Sequence, residues 1–223
     1  MTILDAPSTP RPALSVAFRE GSQPQHDAAE SSTFITDLMG GRVNEAGYVN
    51  YLRSLRPVYA ALEETARELA EDPLIAPLHD PALERLESLD ADLESWRTGA
   101  PAEEACAGRA AQAYAAAIRA TVDQPERFVA HHYTRYLGDL SGGQAIGRIL
   151  DRDFARQGAG LSFYRFDSIP KVKVYKDGYR ERLDALPLDA AQQVAAVEEV
   201  QHAFSHNQAV FAELAQHLAL FAR

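Results

Sequence analysis

Apolar residues recur at intervals of three and four along nearly the whole chain, and that spacing commits it to helices. The clearest run is Tyr48, Tyr51, Leu52, Leu55, Val58, Tyr59 and Leu62, which places these side chains on one face of a helix. Asn44 stands where it can cap that helix. A short helix starting over Ala13 to Phe18 and a longer pattern from Ser22 to Met39 precede it, the latter stopped by Gly40-Gly41. Beyond Pro73 and Pro77, Asp80-Pro81 opens a helix with Leu83, Leu86, Leu89 and Leu93 as its stripe, and Gly99 to Pro101 breaks it. An alanine-rich helix is expected from about Ala102 to Val122, and a long one from Pro125 through Leu150 to about Arg156. A loop from Gly158 to Asp167 turns Phe163, Tyr164 and Phe166 inward. A short helix covers roughly Lys173 to Leu183, and Asp189 caps the last. With no hairpin signal, the fold class is all-α: an irregular multi-helix bundle.

A length of 223 residues suits one domain, expected over residues 13–223, with Met1 to Pro12 as a disordered, proline-rich tail. No segment approaches the ~20 apolar residues of a membrane span. The single cysteine, Cys106, excludes an intrachain disulfide and suits a reducing cytoplasm, the compartment expected. A net charge of −10 argues against nucleic acid as a partner. One basic stretch runs against that balance: Lys171, Lys173, Lys176, Arg180 and Arg182 meet only Asp177 and Glu181 between them. Such a patch holds an anionic ligand, steers an acidic partner, or is simply a solvated helix end.

Tyr136-Leu-Gly-Asp-Leu-Ser-Gly-Gly-Gln144 is the oddest segment, because three glycines interrupt a helical pattern. Each glycine costs a helix interior about 1 kcal/mol relative to alanine. Gly138 and Gly142 are four apart, on one face, and Ser141 and Ala145 widen the strip. A strip without side chains lets something flat approach the backbone, and Gly142-Gly143 also permits a kink. On the spacing alone, close helix packing or a simple break between two helices is the better account; Asp139, a carboxylate at the strip's edge, shifts the reading toward a ligand. A flat ligand beside a helix suggests a porphyrin, whose iron needs an axial ligand. His26 is a candidate, with Glu30 one turn away to orient the imidazole. Glu199-Val-Gln-His202 has the Glu-x-x-His spacing of di-iron bundles, but no second copy exists, and a solvated face is the expectation. His131 and His132, being adjacent, cannot face one site.

His131-His-Tyr-Thr-Arg-Tyr-Leu-Gly-Asp-Leu-Ser-Gly-Gly-Gln144 resembles the distal-helix signature of the haem oxygenases, and the likeness to the bacterial, biliverdin-producing type extends from about Ala13 to Leu214. The resemblance implies haem b sandwiched between a proximal helix and a kinked, glycine-rich distal helix. It implies a reaction with O2 and external electrons that opens haem to biliverdin, carbon monoxide and ferrous iron. It assigns His26 as the iron ligand, Glu30 as the acidic group at that imidazole, and Gly138, Gly142 and Gly143 as the distal wall. It likewise implies that Asp139 organises distal water, with Tyr59, Arg135 and Asn207 as the polar network behind it. Arg19, Tyr133, Lys176 and Arg180 hold the haem propionates; arginine at 19 stands where the family usually has lysine, and keeps the charge. An acidic electron donor of ferredoxin or reductase type is the expected partner, and a monomer the expected state. Two other readings remain beside this one: a non-haem di-iron oxidase using Glu199 and His202, and a haem carrier or sensor that does not degrade its ligand.

Overall fold

A computed structural model describes residues 12–96 and 108–223. The expectations for the tail, for Gly99 to Pro101, for Cys106 and for the start of the alanine-rich helix lie outside the described residues. Among the described residues, eleven α-helices form the fold: α1 (Leu14–Gly21), α2 (Gln23–Glu30), α3 (Thr33–Met39), α4 (Glu45–Glu68), α5 (Leu86–Trp96), α6 (Arg109–Arg119), α7 (Pro125–Gly138), α8 (Gln144–Phe154), α9 (Val172–Asp184), α10 (Ala190–Ala215) and α11 (Leu218–Phe221). Among the described residues there is no strand, only an isolated bridge between Val43 and Ala222.

The periodicity of α4 does what it predicts. All seven residues of its stripe are buried, each worth roughly 1.5–3 kcal/mol in apolar area removed from water. Asn44 caps the helix through the Gly47 amide at 3.0 Å, while its own amide nitrogen donates to the carbonyls of Leu220 and Ala222. One residue thus starts α4 and ties down the C-terminal end. Asp189 and Gln192 form a reciprocal capping box that starts α10. That helix packs against α7, α6, α2 and α1 and is the spine of the molecule.

Two expected helices are each divided. The Ser22 to Met39 pattern breaks at Ser31-Ser32, because the Ser31 hydroxyl donates to the Asp27 carbonyl at 2.7 Å and Ser32 takes an extended conformation. The helix opened by Asp80 is a single 3-10 turn, Pro81–Leu83, and α5 starts afresh at Leu86. Its cap comes from α4: Glu63 accepts from the amides of Arg85 and Leu86 at 2.6 and 2.7 Å.

The long helix from Pro125 persists in direction but not in winding. Asp139–Gly143 forms one π-turn between α7 and α8. Below it, Asp92 accepts from the amides of Ser162 and Phe163, both at 2.8 Å, and so holds the Phe163 and Tyr164 rings under the π-turn. Gly147 lets α8 meet that loop, since a Cβ there would stand 2.8 Å from the Tyr164 Cβ.

Candidate functional site

A cavity of about 460 Å³ opens between α2 and the α7–π-turn–α8 run. One wall is His26 and Glu30 of α2, backed by Ala29. The opposite wall is Gly138, Asp139, Gly142 and Gly143. A Cβ built on Gly138 or Gly142 would meet nothing within 4 Å, so neither glycine is there to let protein pack against it. Gly143 differs: its Cβ would lie 3.5 Å from the Tyr164 ring. The strip is therefore a bare backbone surface facing open space, which a flat ring fits and a side chain would fill.

Behind that wall lies a buried polar chain. The Tyr59 hydroxyl donates to Asp139 Oδ2. Arg135 donates to the Tyr59 oxygen at 2.7 Å and to Asn207 Oδ1 at 2.7 Å, and its guanidinium stands 3.5 Å from Asp139 Oδ1. Burial pushes the Asp139 carboxyl up from its ordinary range, while Arg135, the Tyr59 hydrogen bond and Arg85 pull it back. Burial likewise pushes the Tyr59 hydroxyl up, so it stays a proton donor.

The mouth is cationic. Arg19 and Arg180 line it, with Tyr133 between α1 and α9. Tyr133 stacks edge-on against Phe18 at 5.0 Å, and burial keeps its hydroxyl protonated. Tyr59 and Lys176 lie outside the lining itself, Tyr59 behind Asp139 and Lys176 at the rim, where its ammonium donates to Ser141 Oγ at 3.0 Å. The half-exposed His26 ring lies edge-on to Phe204 at 5.5 Å, with Nδ1 3.4 Å from Asp27 and Nε2 3.5 Å from Glu30. Both contacts are long, so either nitrogen is free to take a ligand.

The family profile described as "Heme oxygenase" matches residues 12–213. The chain belongs to the haem oxygenase family. Heme oxygenase 1 of Synechocystis sp. is 35% identical over 202 residues, covering 90% of this chain and 84% of that protein. Heme oxygenase 2 of Oryctolagus cuniculus is also 35% identical, and this chain covers 66% of its length. Among solved structures, the heme oxygenase of Leptospira interrogans superposes with a TM-score of 0.85 at 33% identity, covering 91% of this chain and all of that one. Heme oxygenase-1 of Synechocystis in complex with heme gives 0.84 at 33%, covering 94% and 95% of the two chains.

Of the Glu199–His202 pair, His202 is exposed as its spacing suggested, but Glu199 is not. Glu199 is buried and accepts from Arg127 at 2.8 Å, with His131 Nε2 at 3.0 Å. His131 and Arg127 hold its carboxyl down at about 2 against the effect of burial. Among the described residues, no group of three or more His, Cys, Asp or Glu side chains could hold a metal ion. His131 and His132 diverge as adjacent residues must, His131 toward α10 and His132 toward Tyr179 of α9. Sequence reasoning missed the apolar floor of the cavity, Ile35, Tyr51, Phe204 and Phe211. Only Tyr51 had a signal, and it read as core.

Proposed function

We propose that this chain cleaves haem with O2 and supplied electrons to biliverdin, carbon monoxide and ferrous iron, haem being both bound group and substrate. The observation that carries the reading is the pairing of a histidine wall with a side-chain-free glycine wall, the latter edged by a buried carboxylate. When bound, haem supplies the iron that takes up O2 and the ring carbon that is oxidised. His26 would offer one ring nitrogen to iron, with Glu30 or Asp27 oriented toward the other. Arg19, Arg180, Tyr133 and Lys176 would hold the propionates at the mouth.

Asp139 does the proton work in this reading. With Oδ2 engaged by Tyr59, Oδ1 is left to accept from a water in the cavity and to pass a proton toward the reacting oxygen. Arg135 and Asn207 keep the carboxylate in place, and the glycine wall leaves room for water and O2. All these residues come from one chain, so a monomer suffices. Lys171, just before α9, and Lys173 in its first turn are exposed, and with Arg182 further along the helix they suit an acidic donor of ferredoxin or reductase type. The cytoplasm is the compartment that fits such a donor. Among the described residues, no helix is long and apolar enough to cross a membrane.

Adding hemin to the purified chain, then a reductant in air, tests the reading through the visible spectrum. A Soret band that forms and then decays as biliverdin absorbance rises is the expected result. A stable Soret band would make the chain a carrier, and no band at all would remove haem from the account.

A further inference from the structure

The α9 helix carries two mouth cations, Lys176 and Arg180, one turn apart on one face. Tyr179 and Leu183, both fully buried, pack inward from the side of the helix that adjoins these cations. A helix advances about 100° per residue, so Tyr179 lies about 60° around the axis from Lys176 and about 100° from Arg180, on the same half of the helix. Any rotation of α9 that moves Tyr179 therefore moves Lys176 and Arg180 across the mouth.

Besides the Lys176 bond to Ser141 at the rim, three side-chain ties hold α9 against its surroundings. At its C-terminal end Asp184 accepts from the amide and hydroxyl of Ser15 at 2.7 and 2.9 Å. At its N-terminal end the Tyr175 hydroxyl donates to Asp80 at 2.7 Å. Level with the two cations, His132 Nδ1 hydrogen-bonds the Tyr179 hydroxyl at 2.8 Å, and the two rings lie within 8° of parallel at 5.8 Å. His132 is 2% exposed and enclosed by Phe128 and Tyr136, at 6.1 and 4.7 Å. An aromatic box of that kind would accept phenylalanine; an imidazole there is explained by the hydroxyl it meets. Burial pushes His132 down to about 3 and Tyr179 upward, so the tie stays neutral across working pH. The next residue, Tyr133, lines the cavity.

We propose that His132 is a positioning residue: through Tyr179 it fixes the rotation of α9, hence where Lys176 and Arg180 meet the substrate's carboxylates, and hence which ring carbon is opened. This rests on the haem-cleaving reading of the same cavity. No atom of His132 need touch the substrate; it acts on specificity through the helix that holds the substrate's acidic edge.

The test uses the full chain with His132→Phe, His132→Gln, Tyr179→Phe and the Phe–Phe double variant. Amide hydrogen exchange over α9 is read without haem, ferric haem affinity by Soret titration, and biliverdin isomers by chromatography. His132→Phe is expected to speed α9 exchange and weaken haem binding, each by about tenfold, and to add a second isomer. His132→Gln, which can still bond the hydroxyl, should restore slow exchange and a single isomer. Tyr179→Phe loses one oxygen and should match His132→Phe; the double variant should be no worse than either single. Wild-type exchange and isomer purity in His132→Phe or, should that variant not fold, in Tyr179→Phe overturn the proposal. So does additivity in the double variant, or a Gln variant as impaired as Phe. A wild-type chain that forms no Soret complex overturns the haem reading instead, while α9 exchange still decides whether the tie holds the helix.

Discussion

Asp139 sits where burial would protonate an unassisted carboxylate, and three neighbours oppose that outcome: Arg135, the Tyr59 hydroxyl and Arg85. The net effect still holds the carboxyl above its ordinary range. Asp139→Asn should keep the hydrogen bond from Tyr59 and lose the proton. Biliverdin formation is expected to fall by about 10²–10⁴-fold with haem still bound, measured in single-turnover spectra. Tyr59→Phe removes a hydrogen bond that favours the charged carboxylate, so the limb of the pH–rate profile due to Asp139 should move to higher pH. Burial of His132 also makes stability depend on pH. Folded, it stays neutral down to about 3; unfolded, it charges below its ordinary 6.5. Between those values the unfolded chain binds the extra proton, so stability complete above pH 6.5 is lost as pH falls toward 3. The slope is up to about 1.4 kcal/mol per pH unit. Denaturant melts at stepped pH should show His132→Gln losing less stability than wild type over that window.

The glycines of the distal run divide into two kinds by what surrounds them. Gly138 and Gly142 face empty cavity, whereas Gly147 faces the Tyr164 ring. Gly138→Ala should raise stability by about 0.5–1 kcal/mol through helix propensity, while its methyl group occupies the substrate's side of the wall and turnover falls. Gly147→Ala should do the reverse to the fold and destabilise it by about 1–3 kcal/mol, because Tyr164 must shift. Thermal melts of the two variants side by side separate the kinds. Sequence spacing alone showed the strip but could not tell one kind from the other, since both are glycine at helical spacing. The same limit explains the rest of what was and was not legible. The stripe of α4 and the caps Asn44 and Asp189 were readable because their partners lie within four residues. The start of α5 was not, because its cap, Glu63, belongs to α4 more than twenty residues earlier. The division at Ser31-Ser32 had a local signal, two hydroxyls able to compete for backbone, which the apolar periodicity around it masked. Glu199 looked solvated because neighbouring glutamate and glutamine surround it in sequence, while its partners Arg127 and His131 come from α7.

Across the whole molecule, charge is arranged in two ranges. The chain carries a net −10, yet Lys171, Lys173, Lys176, Arg180 and Arg182 fall on or just before α9, the helix that brings Lys176 and Arg180 to the cavity mouth. An acidic electron donor therefore meets repulsion at long range and attraction at short range. Ionic strength selects between them, because the screening length falls from about 30 Å at 0.01 M to about 10 Å at 0.1 M and about 3 Å at 1 M. In dilute salt the donor feels the overall negative charge and approaches slowly. Near 0.1 M that field is screened over the size of the molecule while the patch still acts at contact. In concentrated salt the patch is screened as well. The rate of reduction by an acidic ferredoxin should thus pass through a maximum as salt is raised, where a simple basic docking site would give only a decline. Exchanging Lys171 and Lys173 for glutamate changes the net charge by −4, so it deepens the repulsion and removes much of the attraction. Both side chains are exposed and neither lines the cavity, so ferric haem affinity should stay within about twofold. Stopped-flow reduction of that variant should be slower than wild type near 0.1 M and rise steadily with salt, with no maximum. A wild-type rate indifferent to salt would place the donor's docking site elsewhere than α9.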